Sequence, residues 1–275
     1  MSAANLILAT KLGPENELVR AVAATGVVSR VVSARQDLSS LRDAIVLMIN
    51  WPYILKPDFL DLQSTVVNIH NSLLPRYRGR HAFTWAMIHG ETEVGYTLHQ
   101  VDHGVDTGPI YAQVRIPVLA DDDINILFAR ASQTLVAWLP EQLKRLCSGA
   151  LIAKAQEECH ASYFKARTAD DGAIRWQQPG RAVRDFVRAL RPPYTPGAFV
   201  EWAGQRFIVD SCELNRASGS MSAAGTVVTV DVVARTAVVS CADGTVMLRF
   251  LMDKGPRTVG DLPPGSLLAW SDNHE

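Results

Sequence analysis

Val66-Val67-Asn68-Ile69-His70 is an apolar run that closes on two polar residues at alternate positions. Side chains alternate faces along a strand, so Asn68 and His70 share one face at this strand's end. Open α/β sheets bind ligands beyond the carboxyl ends of their strands, which makes that end a candidate site. Upstream, the pattern predicts strands at 6–9, 27–32 and 44–49, with a helix at 15–23. Downstream, Pro75 and Gly79 punctuate the chain before a helical stretch at 82–88, a strand at 95–101, a loop at 103–108 and a strand at 110–118. Asp121-Asp122-Asp123 has the character of an N-cap for a long amphipathic helix from 124 to about 146, because carboxylates there meet the first free backbone N–H groups. Strand and helix in alternation give an α/β class with a Rossmann-like, mostly parallel sheet over residues 1–165.

Past Lys165 the pattern changes. A helix at 182–190 is followed by Pro192-Pro193-Tyr194-Thr195-Pro196-Gly197. Short alternating stretches then run at 198–202, 205–214, 225–232, 237–240 and 245–251, with turn formers such as Ala242-Asp243-Gly244 between them. This predicts a second, smaller β-rich domain over 166–275, a barrel or sandwich.

At 275 residues the chain has room for two cores, and 48% apolar against 20% charged residues argues against disorder. A net charge of −1 gives no global attraction to nucleic acid, although cations gathered on one face would still permit it. Cys147, Cys159, Cys212 and Cys241 are scattered, without zinc-knuckle or redox spacing, and are expected as free thiols in a reducing compartment. No trio of His, Cys and carboxylate has metal-site spacing, so no metal is expected. The apolar stretch at 6–9 is too short for a signal peptide or a membrane span, and a cytoplasmic location is expected.

Asn68 offers an N–H donor to a developing oxyanion and His70 a proton acceptor. Asp106, in a glycine-flanked loop after a later strand, is placed to hold an imidazole in one tautomer, or else, with Asp102, to bond its own turn.

The run Asn68-Ile69-His70-Asn71-Ser72-Leu73-Leu74-Pro75-Arg76-Tyr77-Arg78-Gly79, followed by Val101-Asp102-His103-Gly104-Val105-Asp106-Thr107-Gly108, resembles the signature of the 10-formyltetrahydrofolate-dependent formyltransferases. Residues 167–199 resemble the start of the C-terminal barrel of methionyl-tRNA formyltransferase and of an amino-sugar formylating domain. The resemblance therefore covers most of the chain. It implies a formyltransferase core with a smaller, OB-like C-terminal domain. By that resemblance Asn68 bonds the formyl oxygen, His70 stabilises the tetrahedral intermediate and moves protons, and Asp106 orients His70 and a water. Tyr53, Ile54 and Leu55, with the loop residues Val101, Asp102, Gly104 and Val105, are carried over as contacts of the co-substrate 10-formyltetrahydrofolate.

Arg76, Arg78 and Arg80, on the loop beyond His70, are candidates to clamp a phosphate or the folate tail, or else to form a solvated face. His99 stands where the tRNA enzymes usually carry methionine, which resembles sugar and peptide-type formylases. The acceptor is expected to be a small-molecule amine, with a nucleotide-linked amino sugar first. N5-hydroxyornithine or a carrier-bound amino acid of siderophore or peptide pathways comes second, and initiator tRNA third. A formyltetrahydrofolate hydrolase or a silent folate-binding relative would carry the same three residues. Whether the β-rich tail makes a homodimer, binds the acceptor or supports packing stays open at this point.

Overall fold

The computed structural model describes residues 6–215, 222–251 and 257–268. Residues 1–5 of the amino terminus lie outside them, as do parts of the expected C-terminal domain. The chain divides into two compact units: Met1–Phe83, Glu93–Pro117 and Phe128–Lys165 form the first, and Thr84–Thr92, Val118–Leu127 and Ala166–Glu275 the second.

In chain order the first part of the protein runs β1 (Leu6–Thr10), α1 (Glu17–Ala23), β2 (Val28–Val32), β3 (Ile45–Ile49), α2 (Pro57–Leu60), β4 (Thr65–His70), β5 (Arg78–Gly79), α3 (Ala82–Ile88), β6 (Glu93–Gln100), β7 (Ile110–Pro117), α4 (Ile124–Cys147) and β8 (Tyr163–Phe164). Six strands form one sheet in the order β2-β1-β3-β4-β6-β7. The β1–β2, β1–β3 and β3–β4 pairs are parallel, while β6 runs antiparallel to both β4 and β7. The sheet is thus mostly parallel on one side and closes with an antiparallel edge. Strands β1 (LILAT) and β3 (IVLMI) are almost wholly buried, as central strands covered on both faces must be.

The connections are thinner than strict strand and helix alternation predicts. A single 3-10 turn, Arg35–Leu38, joins β2 to β3, and a one-turn helix, α2, joins β3 to β4. Proline at 52 and 57 restricts the second connection, since Pro57 is tolerated only in the helix's first turn. Leu38 and Leu41 fill the space a longer helix would cover, packing with Ile7, Val46 and Val66. Helix α4 is the long amphipathic helix the pattern predicts, burying Ile124, Leu127, Ala131, Leu135, Leu139 and Leu143 along one stripe. Asp123 caps it, its Oδ1 accepting from the N–H groups of Asn125 and Ile126 at 2.8 and 3.0 Å.

The second unit contains α5 (Gly180–Ala189), β9 (Ala198–Trp202), β10 (Gln205–Asn215), β11 (Val227–Asp231), β12 (Thr236–Cys241) and β13 (Gly244–Phe250). Its strands form an antiparallel sheet in the order β11-β12-β13-β10-β9 around Trp176, Val183, Phe207 and Phe250. The register of the β10–β13 pair shifts between Val209 and Ser211. Among the described residues β9 and β11 do not pair with each other. No helix among the described residues is long and apolar enough to cross a membrane.

Candidate active site

Register places the first two functional residues. In the antiparallel β4–β6 pair Asn68 stands opposite His99 and His70 opposite Thr97, so Asn68, His70 and His99 converge near the carboxyl end of β4. The chain leaving β4 is then pinned by polar contacts. The Thr97 hydroxyl donates to Ser72 O and accepts from Leu74 N, and Gln113 Nε2 donates to both Thr97 Oγ1 and Leu74 O.

The loop after β6 delivers Asp106. Its Oδ2 lies 3.5 Å from His70 Nδ1 and its Oδ1 lies 3.6 Å from His99 Nε2. The same Oδ2 accepts the Gly79 N–H at 2.9 Å. Asp106 adopts a left-handed backbone, φ 55, uncommon for a residue with a side chain. Asp102 does what a turn-forming aspartate does, its Oδ1 accepting from Gly104 N and Thr107 Oγ1. The two aspartates of this loop therefore divide their roles: one closes the turn and the other faces the histidines.

Hydrogen-bond partners fix both tautomers. His70 Nε2 contacts the Tyr77 carbonyl at 2.8 Å, and a carbonyl only accepts, so Nε2 carries a proton and Nδ1 is the nitrogen turned toward Asp106. His99 Nδ1 likewise donates to Gln100 O at 2.8 Å. Burial pushes the His99 imidazole down to about 4 against the pull of Asp106. Neutral His99 thus presents a lone pair at Nε2, which accepts from Asn68 Nδ2 at 3.2 Å. That bond sets the orientation of the Asn68 amide, so its –NH2 end, with a second hydrogen to give, lies on the His99 side.

Two residues expected at the substrate, Arg78 and His99, are both buried. Arg78 is held by the protein itself. It is completely buried, and its guanidinium donates to Gln156 Oε1 through Nε and Nη2, to Glu158 through Nη1 and Nη2, and to the Tyr163 hydroxyl through Nη1. All five donors are spent on the protein. His99 is 1% exposed, with both ring nitrogens engaged by Asn68 and Gln100. Arg80 is exposed.

The two segments expected to hold the folate share a base. Leu55 and Val101 both pack, with Trp51, on the cluster containing Ile7, Val46 and Val66. Tyr53, Ile54 and Val105 keep much of their surface open, Ile54 at 89%.

Sequence reasoning missed Gln156, Glu158, Ser162 and Tyr163. Their partners lie about 50 to 85 residues away, so no local pattern marks them. It also passed over Glu157, Cys159 and His160, an exposed trio whose donor atoms all lie within 4.8 Å of one another and which includes none of the groups above.

An amide donor, an imidazole with one nitrogen anchored, and a carboxylate thus meet at the carboxyl edge of a mostly parallel sheet. A family model described as formyl transferase matches residues 16–143, and one for the formyl transferase C-terminal domain matches 167–260. Between them they take in most of the chain, which belongs to the formyl transferase family.

Solved structures share the fold. An N-formyltransferase from Helicobacter canadensis, in complex with folinic acid and dTDP-3-aminofucose, is 16% identical over 90% of this chain and 100% of its own, with a TM-score of 0.72. WlaRD, a sugar 3N-formyl transferase in the presence of dTDP and 5-N-formyl-THF, is 16% identical over 92% and 100%, with a TM-score of 0.71. Methionyl-tRNA formyltransferase from Clostridium thermocellum is 18% identical over 78% and 95%, at 0.61.

Proposed function

We propose that this formyl transferase moves the formyl group of 10-formyltetrahydrofolate to the amino group of a nucleotide-linked amino sugar. The observation that carries the reaction is the convergence of Asn68, His70 and Asp106 at one strand end, with the Asn68 amide oriented by neutral His99. The open surface of Tyr53 and Ile54, beside the apolar base made by Leu55 and Val101, suits a flat, partly apolar ligand such as a pterin. A buried Trp51 Nε1 without a protein partner leaves a donor near that base.

The co-substrate supplies an activated formyl carbon. Around it, the Asn68 amide donates to the oxygen on which negative charge develops, a stabilisation worth about 3 kcal/mol in comparable sites. His70 exchanges a proton through Nδ1, the nitrogen left over once Nε2 is anchored on Tyr77. Asp106 faces that nitrogen and offsets the positive charge that develops on the ring as the attacking amine loses a proton.

For the acceptor, support comes from the two sugar-type structures, which match over their full length at TM-scores of 0.72 and 0.71. The near-zero net charge also gives little reason for a polyanionic RNA partner.

The test follows tetrahydrofolate release from 10-formyltetrahydrofolate with a panel of dTDP- and UDP-linked amino sugars, N5-hydroxyornithine and methionyl-tRNA. Release that depends on an amino sugar nucleotide, and falls by roughly two to three decades in Asn68→Ala and below detection in His70→Ala, is the expected result. Release dependent on the tRNA or the hydroxyornithine overturns the acceptor but keeps the reaction. Release without an acceptor, with free formate as product, overturns transfer in favour of hydrolysis.

A further inference from the structure

We infer that Gln156, oriented by the buried Arg78, is the positioning residue that holds Asp106 in its working geometry. The inference rests on the formyl-transfer reading only for the role of Asp106. The contacts themselves do not depend on it.

Gln156 lies beyond the end of one family match at 143 and before the start of the other at 167. Its Nε2 donates to the main-chain carbonyls of Asp106 and Gly108, both at 2.7 Å. Its Oε1 accepts from Arg78 Nε and Nη2 at 3.2 and 2.8 Å. Two donated and two accepted bonds exhaust an amide, so Gln156 has one satisfied orientation.

Arg78 dictates which one. A guanidinium only donates, so the amide oxygen must face it and the –NH2 must face the loop. The fork is fixed in turn by Glu158, whose carboxylate accepts two of its N–H groups at 2.9 and 2.6 Å, and by the Tyr163 hydroxyl. A charge buried this completely persists only when paired, which makes the arrangement hard to loosen piecemeal.

The loop needs such a holder. Asp106 has a left-handed φ of 55, and a residue with a side chain keeps that conformation only when its surroundings over-determine it. Gln156 grips the main chain on both sides of Thr107, and Gly79, the residue next to Arg78, grips the Asp106 carboxylate. The same stretch also reaches His70. Ser162 Oγ accepts the Tyr77 N–H at 2.9 Å, and the Tyr77 carbonyl is the group that anchors His70 Nε2. A strap at 156–164 thus reaches both catalytic partners through main-chain groups, the Asp106 carbonyl and the Tyr77 N–H.

Gln156→Glu is the discriminating variant. It keeps the shape and the pairing with Arg78 but turns an oxygen, in place of the –NH2, toward two carbonyls. The expected result is a kcat reduced about 10- to 100-fold, the usual effect of a displacement near 1 Å, with KM for the folate within about twofold of the unaltered enzyme. An activity-independent readout accompanies it: the Gly79 N–H, protected by Asp106, exchanges with solvent deuterium at least about tenfold faster in the variant.

An unaltered kcat with unaltered Gly79 protection overturns the inference. Faster exchange in a protein whose unaltered form transfers no formyl group upholds the positioning and refutes the reaction instead. If Gln156→Glu does not fold, Glu158→Gln carries the test, since Glu158 is largely exposed and the change removes its charge and one of the two oxygens that hold Arg78. A smaller shift in the same two readouts supports the inference, and no shift in either overturns it.

Discussion

His99 is the residue whose protonation state most affects the site, because only its neutral ring accepts from Asn68. Burial holds its native pKa at about 4, against about 6.5 in an unfolded chain. Between those values the unfolded chain binds more protons, so stability contributed through this residue rises with pH across that window and is level above it. On acidification from about pH 6.5 to 4 the unaltered protein should therefore lose up to about 3 kcal/mol more unfolding free energy than His99→Gln. Urea melts of both proteins across that range measure it, and curves that fall in parallel would refute the assignment. At this scale the sequence marked Asn68, His70 and Asp106 as candidates through two motifs that resemble a family signature, and the structure brings the three together. The partners that orient them were hidden for a physical reason. His99 faces Asn68 through strand register, which periodicity does not encode, and Gln156 acts through an arginine 78 residues earlier in the chain.

The smallest elements carry the tightest constraint. Strands β5 and β8 are two residues each, paired in parallel, and Gly79 in β5 has φ +98 with a Cβ position only 2.3 Å from the Phe164 carbonyl oxygen. An alanine there meets both a backbone penalty of roughly 1–2 kcal/mol and a collision that must push β8 away. Gly26 has a comparable φ of +73 but open space where a Cβ would stand. Gly79→Ala should therefore cost clearly more stability than Gly26→Ala in denaturant titrations, and it alone should lower kcat, because the Gly79 N–H holds Asp106. Equal costs and equal activities would show that the β5–β8 contact is not specifically required. The long elements were readable from sequence, since β1, β3 and α4 repeat their apolar period for five or more residues. A two-residue strand has no period to read. The single-turn connections at 35–38 and 57–60 escaped for the same reason, and proline, rather than pattern, set the second.

Across the whole chain, composition marks a change of character near Lys165, yet the second compact unit also takes in 84–92 and 118–127. Those pieces supply specific partners. Arg191 pairs with Asp123 at 2.7 Å as well as with Asp210, Arg184 donates to Ala120 O, and Arg188 donates to the carbonyls of Leu119 and Asp122. The Arg167 guanidinium lies 4.6 Å from the centre of the Trp85 ring. A fragment comprising 166–275 would keep its sheet and its apolar core but remove at least one partner from each of these four arginines, and Asn125 would no longer be there to donate to the Pro192 carbonyl at 3.1 Å. Each lost bond to a charged group is worth roughly 1.5–3 kcal/mol where solvent does not replace it, and a domain's whole margin is on the order of 5–15 kcal/mol. The fragment is accordingly expected to unfold at lower urea concentration and with a broader transition than the same unit within the intact chain. Fluorescence in a background where Trp51, Trp138 and Trp270 are replaced by phenylalanine and Trp85, Trp176 and Trp202 are kept reports on that unit in both proteins. A fragment that melts cooperatively at the midpoint of the intact chain would show that the unit is complete from 166 onward, and that the arginine contacts to 118–127 and Trp85 add nothing measurable.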